Sequence, residues 1–164
     1  MCQISNVVGV VAGLLTGAGG LQANIDTLAA AESLPDISVG SEQVIAQNLP
    51  ADIAERNTPG KYPCVLVYFD EVDNRLREKS RTFSGTAGMA IEARVSSDRV
   101  GDLDAQLNVL VDAVTSTLDQ NRGDWGDGIF FGGEYKISFS PVKHGGKNFI
   151  QTAKVTFTLD VSRN

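Results

Sequence analysis

The strongest constraint on the fold lies between residues 140 and 161, SPVKHGGKNFIQTAKVTFTLDV. Ala153, Val155, Phe157, Leu159 and Val161 alternate with Thr152, Lys154, Thr156, Thr158 and Asp160. A period of two, rich in β-branched and aromatic side chains, marks a strand with one face in a core. Upstream, Tyr135, Ile137, Phe139 and Val142 alternate less cleanly with Lys136, Ser138 and Ser140. Gly145-Gly146 between the two runs can supply the positive φ of a tight antiparallel connection. The segment is therefore read as a hairpin with His144 at its solvated tip. His144 is the only histidine, so a triad or a multi-histidine metal site would need other residue types.

A second hairpin is expected upstream. YPCVLVYFDEV opens with Pro63 at the permitted first position of a strand and continues as an apolar run. VDNR supplies Asp and Asn for a turn. RLREKSRTF reads as an exposed arm, and residues 70 to 81 carry four acids and four bases. GMAIEARV then alternates, with Met89, Ile91, Ala93 and Val95 facing inward. Ser96-Ser97-Asp98 offers caps for a helix running to about Leu118. Val100, Leu103, Leu107, Leu110, Val111, Val114 and Leu118 form its apolar stripe, a core-packing pattern.

The first sixty residues are less regular. ISNVVGVVAGLL presents Ile4, Val7, Val8, Val11, Leu14 and Leu15 on one helical face, with Val10 off it. No Lys or Arg precedes this run of about a dozen apolar residues, so it is read neither as a membrane span nor as a signal peptide. TGAGG breaks that helix, and LQANIDTLAAA forms a second with Leu21, Ile25 and Leu28 on one side. Residues 32 to 61 read as an irregular arm with a short strand near Val44 to Gln47.

The motifs for chemistry fail on spacing. After TGAGG come Leu21-Gln22 instead of the Lys and Ser or Thr of a phosphate loop, and no strand precedes the glycines as a dinucleotide site requires. In DQNRGDWGDG, counted from Asp119, Asp124 stands where a calcium loop needs Gly, and Phe130 where it needs Glu. Ser84 lacks a nucleophile elbow, because Thr82 takes the place of the first glycine. Cys2 and Cys64 have neither a disulfide framework nor metal-ligand spacing, which points to a reducing compartment. No catalytic residue, cofactor or metal is expected.

Composition narrows the partners. A chain of 164 residues, 42% hydrophobic and 21% charged, suits one soluble domain. Its net charge of -6 argues against tight binding to phosphate backbones. The charge is uneven. Residues 1 to 58 hold Asp26, Glu32, Asp36, Glu42, Asp52 and Glu55 against Arg56 alone, while the rest is nearly balanced. The expected fold is α+β in two layers: a mainly antiparallel sheet of about four to five strands, packed by the long amphipathic helix, with N-terminal helices added.

The order of strand YPCVLVYF, charged hairpin, strand GMAIEARV, helix LDAQLNVLVDAVTSTL, strand EYKISFSPV and strand AKVTFTLDV resembles tailed-bacteriophage tail terminator and neck proteins, over about residues 60 to 162. The resemblance implies a virion structural protein. It would form a ring, usually of six copies, that caps the tail tube, meets the head-completion protein and lets DNA pass through its lumen without specific binding. Another neck or head–tail joining protein is the close alternative, and a small-molecule-binding or enzymatic α+β domain the remote one. Ring contacts are heterologous, so unlike surfaces must match. The subunit contacts are expected from the N-terminal helix (Ile4, Val7, Val8, Val11), the charged arm (Glu71, Arg75, Arg77, Glu78, Lys79, Arg81) and the loop at Trp125. No membrane partner is expected.

Overall fold

The computed structural model describes residues 3–33, 37–50 and 62–164. Two helices, α1 (Asn6–Thr16) and α2 (Leu21–Glu32), precede a two-residue strand β1 (Val44–Ile45). Strands β2 (Cys64–Asn74) and β3 (Phe83–Ser97) form a long hairpin, followed by helix α3 (Val100–Gln120). Then come β4 (Gly123–Gly126), β5 (Ile129–Phe139), β6 (Lys143–Gly145) and β7 (Asn148–Arg163). Much of the proposed arm, at 34–36 and 51–61, lies outside the described residues, as does Cys2. So do Asp36, Asp52, Glu55 and Arg56, which carried part of the charge asymmetry.

The strands make one sheet in the order β1-β2-β3-β7-β5-β4, with β6 also paired to β7. The β1–β2 pair is parallel and the other described pairs are antiparallel. β5 and β6 lie end to end along the same edge of β7, opposite Ala153–Val161 and Asn148–Ile150 respectively. The fold is thus mixed α+β, but with seven strands among the described residues rather than four or five. The short strand expected near Val44 to Gln47 is β1, of two residues; the additional ones, β4 and β6, have 4 and 3 residues, too few to display a period of two.

Register explains which side chains enter the core. Val67, Ile91, Val155 and Ile137 stand in one row across β2, β3, β7 and β5, and residues in one row share a face. That face carries Met89, Ala93, Phe157 and Leu159 against Leu103, Leu107, Leu110, Val114 and Leu118 of α3, all buried. Val7, Val11 and Leu15 of α1 and Leu21 and Ile25 of α2 extend the same cluster. Each fully buried aliphatic side chain contributes about 1.5–3 kcal/mol, so this face holds the molecule together. Asn6–Glu32 is apolar enough by composition to cross a bilayer, but it is two helices parted at residues 17–20 whose buried side chains belong to this core.

Asn24 ties the helices together in a way the apolar pattern does not show. Buried on α2, its Nδ2 donates to Thr117 Oγ1 at 2.9 Å, and its Oδ1 accepts from Gln120 Nε2 at 2.9 Å, both on α3.

Local readings shift where pairing outweighs propensity. Asp73 and Asn74 pair with Thr86 and Gly85, so VDN is the end of β2 and the turn falls after Asn74. Ser96 and Ser97 pair with Ile150 and Phe149; α3 begins only at Val100, with no side-chain cap, and Ser97 Oγ accepts the Arg99 N–H at 3.1 Å. Val100 is half exposed, unlike the rest of its stripe. In the last hairpin Gly145 pairs with Asn148, and Gly146 alone takes positive φ, 75°. His144 is an exposed β6 residue, edge-on to Phe149 at 6.0 Å.

Candidate functional surface

The helices cover one face of the sheet, and the opposite face carries the polar groups. There Cys64, Leu66, Tyr68 and Ala90 form a small apolar cluster with Ile45, Leu49 and Tyr62 packed on it. Beside it runs a chain of charges. The Arg94 guanidinium, only 4% exposed, pairs with Glu92 at 2.7 Å, and its Nη2 also donates to the Leu49 carbonyl. Tyr68 Oη donates to the other Glu92 oxygen at 2.8 Å. Lys154 bridges from β7 to Asp70 on β2 at 2.8 Å, with its ammonium 5.6 Å from the Tyr68 ring centroid. A depression of about 370 Å³ adjoins this chain, lined by Arg94, Lys143, His144, Ile150, Thr152 and Lys154 among others.

The electrostatics of this face favour holding over reacting. Burial pushes the Cys64 thiol up to about 11, so at neutral pH it is protonated and a poor nucleophile. Burial, and next the hydrogen bond to Glu92, raise the Tyr68 hydroxyl well above its ordinary range. Both groups keep their protons. The network fastens the segment around Leu49 to the sheet, helped by Gln43 Nε2 donating to the Pro63 carbonyl at 2.7 Å.

The residues expected at subunit contacts fall into different settings. Val7 and Val11 are spent on the molecule's own core, while Ile4 and Val8 pack partly against it. Trp125 is half-buried, with its ring 5.5 Å from Phe131 and 6.5 Å from Phe157, and its Nε1 donates to the Asn121 carbonyl. It anchors its own loop. In the arm, Arg77 reaches Asp160 at 3.5 Å and Arg81 reaches Glu78 at 3.0 Å and Asn164 at 2.9 Å; Glu78 also accepts from Ser162 at 3.2 Å. The arm therefore folds back on the end of β7. Arg75 pairs with Asp73 beside it. Glu71 and Lys79 are exposed. Pairs this exposed add little stability. Asp119, first residue of the stretch that fails as a calcium loop, is engaged by Arg122 at 2.7 Å and by the Tyr135 hydroxyl at 3.2 Å.

Two surface features escape the sequence reading, and both are sheet edges. Among the described residues β1 covers β2 only at Val65 and Leu66, and none pairs with its outer edge from Val67 to Asn74. β4 covers β5 only at Ile129–Phe131, leaving it open through Phe139. On the helix-side face, Val72 on the first edge is 42% exposed, and Ile137 and Phe139 on the second are 36% and 53% exposed. The alternation of Tyr135, Ile137 and Phe139 was visible in the sequence.

Compared with protein-family models and with curated proteins, the chain matches none.

Proposed function

We propose that this chain is a virion structural protein, a tail terminator that forms a ring on the last layer of the tail tube and presents a surface to the head-completion protein. The observation that carries the reading is the order of the long elements from Cys64 to Arg163: strand β2, charged connection, strand β3, long helix, strand β5 and strand β7, with the short β4 and β6 added before β5 and β7. This is the order on which the resemblance to terminator and neck proteins rests. The build of the sheet supports it further. A ring needs two unlike surfaces on each subunit. The two edges differ: Asp70, Glu71 and Asp73 lie along β2, while Lys136 and Lys143 lie along β5 and β6. The polar face also fits a scaffold better than a reaction centre, since Arg94 with Glu92 and Lys154 with Asp70 are paired with one another and Cys64 and Tyr68 are held protonated.

The test is to add gold-labelled protein to purified tail tubes and locate the gold by electron microscopy. A terminator places label at one end of each tube. Label on the heads or neck, with tube ends bare, would move the protein to a head–tail joining role. No label on any particle would contradict both.

A further inference from the structure

We propose that the depression on the polar face is a binding site for a small oxyanion, a carboxylate or phosphate group on a molecule that fits its volume of about 370 Å³. The site stands apart from the ring assembly proposed above and needs no second copy of the chain.

Sheet register assembles it. Glu92 and Ser138 stand opposite Lys154, Arg94 opposite Thr152, and Lys143 opposite Ile150. Positions 150, 152 and 154 alternate with the core residues Ala153 and Val155, so these side chains share the face away from the helices. The hollow lies where the edge of β7 changes partner. β5 ends at Phe139, β6 begins at Lys143, and Ser140 and Pro141 of the link line the wall. The Ser140 N–H donates to the Thr152 carbonyl at 2.9 Å, which pins the link to the sheet. A hollow of this size lies at the lower end of those that hold small molecules.

Its charge is positive within an acidic chain. The lining holds Arg94, Lys143 and Lys154 against Glu92 alone, whereas the whole chain carries -6. The cations are unequally spent. Lys154 is engaged by Asp70, so it adds field more than a free donor. Lys143 is exposed and joins no ion pair among the described residues.

Arg94 decides the chemistry. Its Nε and Nη2 both meet Oε1 of Glu92, at 2.8 and 2.7 Å, and Nη2 also donates to the Leu49 carbonyl. Nη1, on the side of the planar fork away from Glu92, is buried without an acceptor. A buried donor left unpaired costs more than an ordinary hydrogen bond returns, so an acceptor brought to Arg94 is rewarded. Ser138, Ser140 and Thr152 add hydroxyl donors around the same hollow. Charge-assisted hydrogen bonds from such groups to an oxyanion are the strong kind. A cationic ligand would meet one acid, and Arg94 and Tyr68 already hold it.

The experiment is thermal unfolding in sodium phosphate, sodium citrate and sodium chloride at equal ionic strength, for wild type, Lys143→Glu and Lys79→Glu. Lys79 is an exposed lysine of the arm outside the depression, and its variant controls for net charge. The wild-type Tm should rise with phosphate or citrate and not with chloride, because a ligand that binds only the folded state stabilises it. Lys143→Glu should weaken the apparent affinity at least about tenfold, and Lys79→Glu should leave it within about twofold. A response to phosphate alone assigns a phosphate group, and one to citrate alone a carboxylate. The same response to chloride, equal losses in both variants, or no response to either oxyanion would overturn the site. Amide shifts of the wild type under the same titration give a readout independent of variant folding. They should cluster at residues 138–146 and around Arg94 and Thr152, and shifts confined elsewhere would contradict the site. None of these outcomes bears on the terminator reading, which the gold-labelling experiment tests separately.

Discussion

Cys64 shows how one residue reports on the polar face. The sequence marks it as the head of an apolar strand, and it is buried beside Leu66 and Tyr68. Neither apolar pattern nor spacing reveals the charges of Arg94 and Glu92 near it, because those residues come from β3 and meet β2 only through sheet register. Burial raises the thiol from an ordinary value near 9 to about 11. Between those values the unfolded thiol has lost a proton that the folded one still binds, so stability falls as pH rises from 9 through 11. The expected loss attributable to this group is about 2–3 kcal/mol. Urea unfolding of wild type and Cys64→Ala across that range checks it. The variant should show a shallower decline, and identical slopes would contradict the burial account. Asn24 teaches a related lesson: an amide in an apolar helix pattern gave no hint of its bonds to Thr117 and Gln120, which lie more than ninety residues away.

At the scale of elements, legibility followed length. β7, β3, α3 and α1 were readable because each shows several repeats of its own period, and their inward residues lie where the period puts them. Of the short strands, β1 lies where a short strand near Val44 to Gln47 was expected, while β4 and β6 were read as loop and hairpin tip, since three or four residues carry no period. Their existence depends on a neighbour's free edge. Ends were misread where pairing carried a strand past its local turn or cap signals, as at Asp73-Asn74 and Ser96-Ser97. The β4–β5 connection shows how closely these short pieces are held. Gly128 has φ 72°, and its carbonyl accepts the Ser162 N–H at 2.8 Å. A Cβ added there would come within 1.9 Å of the Ser162 carbonyl oxygen. Gly128→Ala should therefore cost at least about 2 kcal/mol from the left-handed backbone and the forced shift of β7. That corresponds to a Tm lower by about 4–8 °C in calorimetry. A Tm within about 1 °C of wild type would show that the connection yields freely.

For the whole molecule, the sequence conveyed the class and the order of the main elements, while the surfaces needed three dimensions. Seven of the eleven expected contact residues are engaged within the chain: Val7 and Val11 in the core, Trp125 on Phe131, Arg75 on Asp73, and Arg77, Glu78 and Arg81 on the end of β7. Among the described residues the uncovered stretches are instead on the two strand edges, which no local pattern could mark because exposure depends on what the rest of the chain covers. A sheet with helices on one face, paired charges on the other and unlike edges is suited to joining copies of itself, and that is the central claim. It is tested most directly by electron microscopy of lysates from a phage whose copy of this gene carries an early stop codon. The account predicts overlong, headless tails or tubes, because losing the cap leaves polymerisation unchecked. Normal-length tails beside unjoined heads would contradict the terminator role in favour of the neck, and intact infectious particles would contradict a structural role altogether.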